Sequence, residues 1–460
     1  MTPPATDQAP GPISSLAQRA RSAREGLPSS MGELRGSETA KAAGLAGAMI
    51  ANNVLALGST VVFARLLSDY GSLAALISYF LILSVVGQAL QVATAREGVL
   101  GHLGVGADLG ATVARWTRTM LLLTLALAVV SVLLRVPIAQ AVGVKNHQWA
   151  AAIGLPAAGL WLELSVLRGV LQGIGDYKGV GVSLVGEQAT RLVVGAALAA
   201  GSLGVTGAYL GTPLSFIAVG IFCMVRLREH IERVEGRPAG PKKVPEAMLT
   251  MWTHVKRAWA PIAGLALIAV LQNIDIIAAK HRFGTNLASS YGATAVAAKV
   301  LIWVAIGAGF YLVPEVSRRR AAGEDPRPVL LRALAIILVC AIPCLLIFAF
   351  EPRLLLRLAF GRNRLAASGS LLILGVAFTV LAATYLAIQY LLALRRTWFL
   401  VVIAAVAVAE PILLLHASRK PAGFAAVVLA VQALGAVAAF GFALRRESPR
   451  RQTAVRPEPA

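Results

Sequence analysis

The sequence predicts an all-α polytopic membrane protein with about twelve transmembrane helices in two six-helix lobes. Three observations support this fold class. Hydrophobic residues make up 57% of the chain and charged residues only 14%, whereas soluble domains dilute their apolar residues with a charged surface. The apolar residues gather into runs of about 20, enough to cross a hydrocarbon core of roughly 30 Å. The segments around the first two runs recur in the second half of the chain.

The apolar runs are separated by polar segments, most of them short. They lie at residues 41–66, 71–93, 119–135, 149–171, 179–201, 205–225, 259–279, 287–313, 329–350, 368–393, 398–416 and 422–444. An even number of spans returns the chain to the side on which it began. Both termini are therefore expected on one side of the membrane.

Polar segments at the ends and the centre of the chain define its domains. We expect a disordered cytoplasmic tail at 1–40, a first lobe at 41–226, a basic cytoplasmic linker at 227–257, a second lobe at 258–445 and a cytoplasmic tail at 446–460. The first run lacks the short apolar core and small-residue cleavage site of a secretory signal. Interfacial helical pieces are expected near 96–118 and 246–257.

The net charge of +21 would suit a nucleic-acid-binding protein, but the positions of the basic residues argue against a nucleic-acid partner. Most of them fall on the side of the N-terminus, which is the positive-inside bias of membrane proteins. We therefore expect an inner (cytoplasmic) membrane protein with both termini in the cytoplasm. An arginine-rich loop that contains Arg353, Arg357, Arg362 and Arg364 falls outside in this scheme and does not fit the bias.

Two segments of the first half recur in the second. Arg65 and Arg282, near the ends of spans one and seven, are 217 residues apart, and the Tyr70-Gly71 and Tyr291-Gly292 pairs that open spans two and eight are 221 apart. Each half contains an even number of spans, so both halves enter the membrane from the same side. A pseudo-two-fold axis along the membrane normal is expected to relate them.

Ionisable residues inside spans are expensive and usually face a bundle interior or water. Glu187 and Arg191 lie four residues apart on one face of span five, which predicts a structural ion pair; a role in a cavity is the alternative. Glu163 and Arg168 in span four are less favourably spaced, so we expect them to find partners on other helices. Glu410 precedes a proline and is expected to cap a kinked half-helix.

Uncharged polar side chains form stripes on the spans predicted to face the space between the lobes. Asn52 in span one and Gln88 and Gln91 in span two are the candidates for contacts with sugar or phosphate groups of a substrate. The alternative is hydrogen bonding between helices, which is worth about 0.6 kcal/mol on average in membranes.

Three charged residues are the remaining site candidates. Arg65 and Lys299 are predicted to bind an anionic group such as a phosphate, although Arg65 at a span end also fits snorkelling to the headgroups. Asp275 is the candidate for a coupling-ion site, because a carboxylate in a low dielectric exchanges charge readily. A salt bridge from Asp275 to Lys299 or Lys280 is the alternative.

The chain shows little sign of metal or enzymatic chemistry. Its 3 cysteines lie within apolar runs and its 6 histidines show no paired-ligand spacing, which predicts neither a metal site nor a disulfide framework. A nucleophile with its base is not recognisable either. No cofactor is expected beyond a coupling proton or sodium ion, and the chain is predicted not to be an enzyme.

The sequence resembles the multidrug, oligosaccharidyl-lipid and polysaccharide exporter superfamily, and most of all its polysaccharide (oligosaccharide) flippase branch. The residues that carry the resemblance are Ala64-Arg65-Leu-Leu with Tyr70-Gly71, Arg168-Gly-Val-Leu-Gln-Gly173 with Asp176-Tyr177, Gly204-Val-Thr-Gly207, Asn273-Ile-Asp275, and Tyr291 through Leu312-Val-Pro314. The resemblance implies two lobes around a central cavity, alternating access, and transport of a glycan linked to polyprenyl diphosphate across the cytoplasmic membrane.

The resemblance leaves several functions open. The implied partners are the lipid-linked glycan, the bilayer and enzymes of cell-envelope biosynthesis. Alternatives are a cation-coupled multidrug exporter, a peptidoglycan-precursor flippase, whose family members usually have two more spans, and, from other classes, a membrane glycosyltransferase or polymerase and a non-transporting scaffold.

Overall fold

The computed structural model of the protein describes residues 38–235 and 259–445, and its regular elements there are helices. They are α1 (Glu38–Leu66), α2 (Tyr70–Val99), α3 (Ala107–Leu133), α4 (Arg135–Val142), α5 (Gln148–Gly173), α6 (Tyr177–Leu198), α7 (Gly204–Glu235), α8 (Trp259–Arg282), α9 (Thr285–Ala321), α10 (Arg327–Phe350), α11 (Pro352–Phe360), α12 (Leu371–Ala393), α13 (Phe399–His416) and α14 (Pro421–Leu444). A π-helical turn, Ala199–Leu203, separates α6 from α7.

Most of these helices are long and apolar enough to cross a membrane. There are 11 such segments among the described residues, and one of them, Tyr177–Arg233, is 57 residues long and contains both α6 and α7. The helices α4 and α11 are too short to cross, at 8 and 9 residues. The described chain thus has twelve spanning helices, which confirms the predicted fold class.

The outward faces of the helices are apolar. Val339 on α10 is 71% exposed and Val437 on α14 is 72% exposed. Large apolar side chains with this exposure fit contact with lipid tails rather than water. The chain is therefore a multi-pass membrane protein.

The two halves of the chain repeat one packing pattern. In the N-terminal lobe (α1 to α7), α1 packs on α6, α2 and α3 pack on α5, and both α5 and α6 pack on α7. In the C-terminal lobe (α8 to α14), α8 packs on α13, α9 and α10 pack on α12, and both α12 and α13 pack on α14. The order of the helices and these five helix–helix contacts match between the lobes, as expected for a tandem repeat.

The lobes meet at one end of the bundle, in a region that we call the seam. It is formed by the ends of α1 and α8, the starts of α2 and α9, and the short helices α4 and α11. Arg65 at the end of α1 donates hydrogen bonds to the Leu358 and Ala359 carbonyls of α11. Reciprocally, Nε2 of His281 on α8 donates to the Ala141 carbonyl of α4 at 2.9 Å. A two-fold rotation that exchanges the lobes places α1 on α8 and α11 on α4, so the contact between α1 and α11 corresponds to the contact between α8 and α4.

The repeated Tyr-Gly pairs lie at the centre of the seam. The Gly71 nitrogen donates to Ser289 Oγ at 2.9 Å, and a Cβ on Gly71 would lie 2.9 Å from the Ser289 nitrogen. A Cβ on Gly292 would lie 3.2 Å from the Cβ of Ala74. Small residues are therefore needed at these positions for α2 and α9 to approach each other closely.

Charged groups reinforce the seam. Lys280 Nζ lies 2.7 Å from Asp69 Oδ1, and His147 Nε2 lies 3.5 Å from Asp69 Oδ2. Arg364, which follows α11, donates to the Ala64, Leu67 and Ser68 carbonyls at the end of α1. This arginine belongs to the loop that does not fit the positive-inside bias, and its role in joining the lobes is a structural reason for its position.

Some boundaries differ from the sequence predictions. The linker was expected to begin at 227, but α7 continues through Glu235. The third span was expected at 119, but α3 begins at Ala107, so residues 107–118 extend a spanning helix rather than form an interfacial piece. Polar residues in its first turns concealed this extension. The predicted interfacial helix at 246–257, most of the N-terminal tail and the C-terminal tail lie outside the described residues.

Candidate functional site

Ionisable residues in the middle of the C-terminal lobe form a buried group. Asp275 on α8 has no exposed surface, and Lys299 on α9 is 7% exposed. Lys299 Nζ lies 3.0 Å from Asp275 Oδ1, and the Tyr291 hydroxyl donates to Asp275 Oδ2 at 3.3 Å. Nζ also lies 5.1 Å from the centre of the Phe378 ring on α12. The salt bridge that was an alternative for Asp275 is therefore formed, and it is made to Lys299.

A second carboxylate lies beside this pair. Glu410 on α13 is fully buried, and its Oε1 accepts a hydrogen bond of 3.2 Å from Gln432 on α14. Gln432 also donates to the Leu271 carbonyl at 2.9 Å. The other oxygen of Glu410, Oε2, is buried and has no hydrogen-bond partner among the described residues. We call Asp275, Tyr291, Lys299, Glu410 and Gln432 the C-terminal cluster.

Glu410 does not have the expected capping role. Helix α13 runs from Phe399 to His416 without interruption at Pro411, and the side chain of Glu410 reaches across to α14 instead. The C-terminal cluster therefore contains two acidic side chains and one basic one. When all three are ionised, its net charge is negative.

The N-terminal lobe contains a cluster of the opposite composition. Arg168 on α5 has no exposed surface; its Nη1 donates to Glu187 Oε2 at 2.8 Å, and its Nε and Nη2 donate to the hydroxyl and the carbonyl of Ser183. Arg191 Nη2 donates to Glu187 Oε1 at 2.6 Å. One carboxylate on α6 thus serves two guanidinium groups. We call Arg168, Ser183, Glu187, Arg191 and the nearby Tyr209 the N-terminal cluster.

Aromatic rings surround the N-terminal cluster. The guanidinium carbon of Arg168 lies 5.8 Å from the Trp161 ring, and that of Arg191 lies 5.5 Å from the Phe216 ring. Trp161 and Phe216 are themselves in contact, with centroids 5.4 Å apart. These cation–π contacts stabilise the charged forms of the two arginines in a low-dielectric environment.

The polar stripes divide into two chemical groups. The hydroxyls of Ser59, Thr60 and Ser84 donate to carbonyls of the preceding turn of their own helices. The amides of Asn52, Gln88 and Gln91 remain at least partly exposed, and Asn52 makes one weak contact of 3.5 Å with Asn53. These amides are available to a ligand, whereas the hydroxyls are already satisfied.

The two candidate anion ligands lie in different places. Arg65 is exposed and joins the lobes at the seam, while Lys299 is paired inside the C-terminal lobe. Lys280 pairs with Asp69 at the seam rather than with Asp275. The structure does not bring Arg65 and Lys299 together.

Charge at the seam depends on Asp69, which lies outside the spanning segments. Partial burial by itself raises the pKa of this carboxyl, but hydrogen bonds with His147, Lys280 and Ser72 outweigh burial and hold the pKa well below its usual range. Asp69 therefore stays ionised at neutral pH and holds Lys280 across the lobes.

Sequence reasoning missed several partners of the candidate residues. Tyr291, Gln432 and Ser183 complete the two clusters, and Arg364 completes the seam. The available signal for Gln432 was a glutamine in the middle of an otherwise apolar helix. Ser183 looks like an ordinary span residue until its neighbours in space are known, and Tyr291 was noted only for the repeat and the resemblance, not as a partner of Asp275.

Comparison with known structures relates the whole described fold to membrane transporters. A multidrug resistance MATE family transporter of the MOP superfamily, in an inward-facing conformation, superposes with a TM-score of 0.67 at 13% identity, over 85% of this chain and 93% of that chain. The chain shares the fold of this transporter. The lipid II flippase MurJ, in an inward closed conformation, gives 0.65 at 14% identity, over 86% of this chain and 87% of MurJ.

A third structure, the MATE multidrug transporter DinF-BH, gives a TM-score of 0.59 at 12% identity, over 88% of this chain and 95% of that chain. No family model matches the sequence, and a comparison with curated proteins found no match. The fold predicted from the resemblance is confirmed. Drug transporters and a lipid flippase match it about equally, so the fold does not select a substrate.

Proposed function

We propose that the protein is a cation-coupled membrane transporter that moves a glycan linked to polyprenyl diphosphate across the cytoplasmic membrane by alternating access. The observation that carries this proposal is the C-terminal cluster, in which two buried carboxylates surround one lysine inside a transporter fold. Intramembrane ionisable groups of this kind are typical of ion pathways and coupling sites.

The seam supports alternating access. The polar contacts between the lobes that are described above all lie at one end of the bundle. The positive-inside bias assigns this closed end to the outer side. Hydrogen bonds and one ion pair join the lobes there, and contacts of this type can separate when the lobes rock against each other.

The C-terminal cluster supplies a coupling step. A proton or sodium ion that binds to Asp275 competes with Lys299 for the same carboxylate oxygen. Binding of the cation therefore releases Lys299, whose ammonium group is then free to attract an anionic substrate group. The free Oε2 of Glu410 is a second position for the cation. Cation binding and attraction of a diphosphate are linked in this way.

The amides of α1 and α2 favour a glycan over a cationic drug. Amide groups donate and accept hydrogen bonds, as recognition of sugar hydroxyls requires. The acidic residues of these two helices, Glu38 and Glu97, lie near helix ends rather than beside Asn52 and Gln88. A drug exporter, which the similarity to MATE transporters favours, is the second candidate.

The experiment is a flipping assay in proteoliposomes with a fluorescent polyprenyl-diphosphate sugar under an imposed proton or sodium gradient. Wild-type protein is expected to move the lipid, and Asp275→Asn and Lys299→Gln are expected to lose this activity, because each removes one side of the coupling pair. Lys145→Gln, at an exposed lysine, is the matched control and should retain activity. Drug efflux by wild-type protein without lipid movement would overturn the substrate and favour the second candidate.

A further inference from the structure

The N-terminal cluster buries more positive than negative charge. Arg168 and Arg191 share the single carboxylate of Glu187. Each of the three nitrogens of Arg168 donates a hydrogen bond, to Glu187 or to Ser183. Arg191 makes one hydrogen bond, through Nη2, and so carries the surplus charge.

The other acidic groups of the lobe do not neutralise this surplus. Glu163 precedes Arg168 by five residues, which places it about 140° around α5 from that side chain. Asp176 pairs with Arg226 at 3.1 Å, and Glu97 lies 2.6 Å from His102. Among the described residues, Glu187 is the one carboxylate that forms an ion pair with Arg168 or Arg191, so the cluster has one guanidinium charge in excess.

Two hydrogen-bond donors of the cluster are also without partners. Arg191 Nε and the hydroxyl of Tyr209 are buried, and neither has a hydrogen-bond partner among the described residues. Tyr209 has no exposed surface. A buried donor without an acceptor is energetically unfavourable, and more so when it is charged. Both donors therefore favour an acceptor that the lobe itself does not supply.

The two donors lie on helices that pack closely. A Cβ on Gly211 of α7 would lie 2.8 Å from the Arg191 carbonyl of α6, and the guanidinium carbon of Arg191 lies 5.5 Å from the centre of the Phe216 ring on α7. Tyr209 lies seven residues before Phe216 and therefore on the same face of α7. The side chain of Arg191 is 20% exposed, whereas that of Arg168 is completely buried. Arg191 is thus the more accessible of the two arginines.

We propose that Arg191 and Tyr209 form an anion-binding site inside the N-terminal lobe, with an oxyanion such as a phosphate or carboxylate as the ligand. A guanidinium group offers a planar set of donors that matches the oxygens of such groups. The Tyr209 hydroxyl adds a neutral donor, and Glu187 and Arg168 fix the position of Arg191. This site is separate from the coupling pair of the C-terminal lobe and does not depend on the nature of the transported substrate.

The test measures binding of inorganic phosphate to the full-length protein in phosphatidylcholine nanodiscs. Sodium phosphate is expected to raise the thermal unfolding temperature and to change the tryptophan emission, because Trp161 stacks on Arg168. Sodium chloride at equal ionic strength should have a smaller effect. Trp161→Phe should remove the change in emission and leave the thermal shift.

Variants separate the site from a general effect of salt. Arg191→Gln is expected to weaken phosphate binding about tenfold or more, since a charged hydrogen-bond partner is lost. Tyr209→Phe, which removes one oxygen, should weaken it less. Arg282→Gln is the matched control, because Arg282 also has a buried Nε without a partner but lies at the end of α8, away from the cluster. It should bind phosphate like the wild type.

A second arm identifies the source of the oxyanion. Stabilisation by phosphatidylglycerol nanodiscs without phosphate, lost in Arg191→Gln, would assign the site to a lipid headgroup, whereas a response to inorganic phosphate in phosphatidylcholine assigns it to a free anion. An equal response to chloride, an unchanged response in Arg191→Gln, or no response to either source overturns the site. If Arg191→Gln does not fold, phosphate binding to Tyr209→Phe is measured instead, and an affinity equal to that of the wild type overturns the site.

Discussion

The two lobes repeat the same helix packing, but the ionisable groups that they bury have opposite compositions. The N-terminal cluster places two arginines around one glutamate, and the C-terminal cluster places two carboxylates around one lysine. When every group is ionised, the first composition has a surplus of positive charge and the second a surplus of negative charge. A duplicated scaffold has thus been kept for its packing, while each copy carries different chemistry.

The clusters also use different helices of the repeat. The N-terminal cluster is built on α5, α6 and α7, whereas the C-terminal cluster uses α8, α9, α13 and α14, which correspond in packing to α1, α2, α6 and α7. The helices α1 and α2 carry the uncharged amides of Asn52, Gln88 and Gln91, whereas α8 and α9 carry Asp275 and Lys299. The corresponding first two helices of each lobe therefore carry uncharged polar groups in the N-terminal lobe but a charged pair in the C-terminal lobe.

The largest effect is expected from separating the partners of the C-terminal cluster. Asp275→Asn removes the carboxylate from Lys299, and removing one partner of a buried ion pair typically costs about 3 to 5 kcal/mol. The double variant Asp275→Leu with Lys299→Met should recover most of this stability without recovering transport. Thermal unfolding and the flipping assay measure the two effects. Transport by the double variant would contradict the coupling role.

A smaller and asymmetric effect is expected in the N-terminal cluster. Arg168→Gln loses three hydrogen bonds and should destabilise the protein by about 2 to 4 kcal/mol. Arg191→Gln loses one hydrogen bond but also removes the surplus charge, so its free energy of unfolding should stay within about 1 kcal/mol of wild type. Equal losses in the two variants would show that the cluster is balanced rather than positively charged.

The smallest effect on stability is expected at the seam, which joins the two lobes. Asp69→Asn removes the ion pair with Lys280, a partly exposed contact worth about 1 kcal/mol or less. The effect is measured with a Ser289→Cys probe, buried at the seam, in a variant without the native cysteines. Loss of the ion pair should let the seam open more often, so that maleimide labels this cysteine faster. Asp176→Asn, which removes a carboxylate–arginine pair within the N-terminal lobe, is the matched control. Equal labelling in both variants would mean that Asp69 does not hold the seam.

The ion pair between Asp69 and Lys280 also contributes to the pH dependence of the seam. The lowered pKa of Asp69 means that its stabilising contribution is complete above the unfolded value of about 3.9 and is lost only as the pH falls below it. Loss of charge on Asp69 should therefore not increase the labelling of Ser289→Cys between neutral pH and pH 5, with reactivity corrected for the thiolate fraction. An increase within this range would contradict the role of Asp69.

The sequence predicted what depends on local spacing and composition. Twelve spans follow from apolar runs, and the contact between Glu187 and Arg191 follows from their separation of four residues on one helix. The matching segments around Tyr70 and Tyr291 indicated the repeat. These features are visible because periodicity along one helix determines them.

The parts that were missed depend on neighbours far apart in the chain. Arg168 joins Glu187 from another helix, Gln432 reaches Glu410 across 22 residues, and Arg364 reaches Ala64 across 300. No spacing rule links such residues. The arginines of the outer loop were puzzling for the same reason, because the carbonyls that Arg364 caps lie in the other lobe.

One pair of matched substitutions tests the opposite charge of the two clusters most directly. Glu410→Gln and Glu187→Gln make the same chemical change, and the thermal unfolding temperature of each is measured beside the wild type at neutral pH. Glu410→Gln should leave a neutral Asp275–Lys299 pair and an unchanged or higher unfolding temperature. Glu187→Gln should leave two buried guanidinium groups without a carboxylate and a clearly lower one. Similar losses in both variants, or a larger loss in Glu410→Gln, would contradict the assignment of opposite charges to the two lobes.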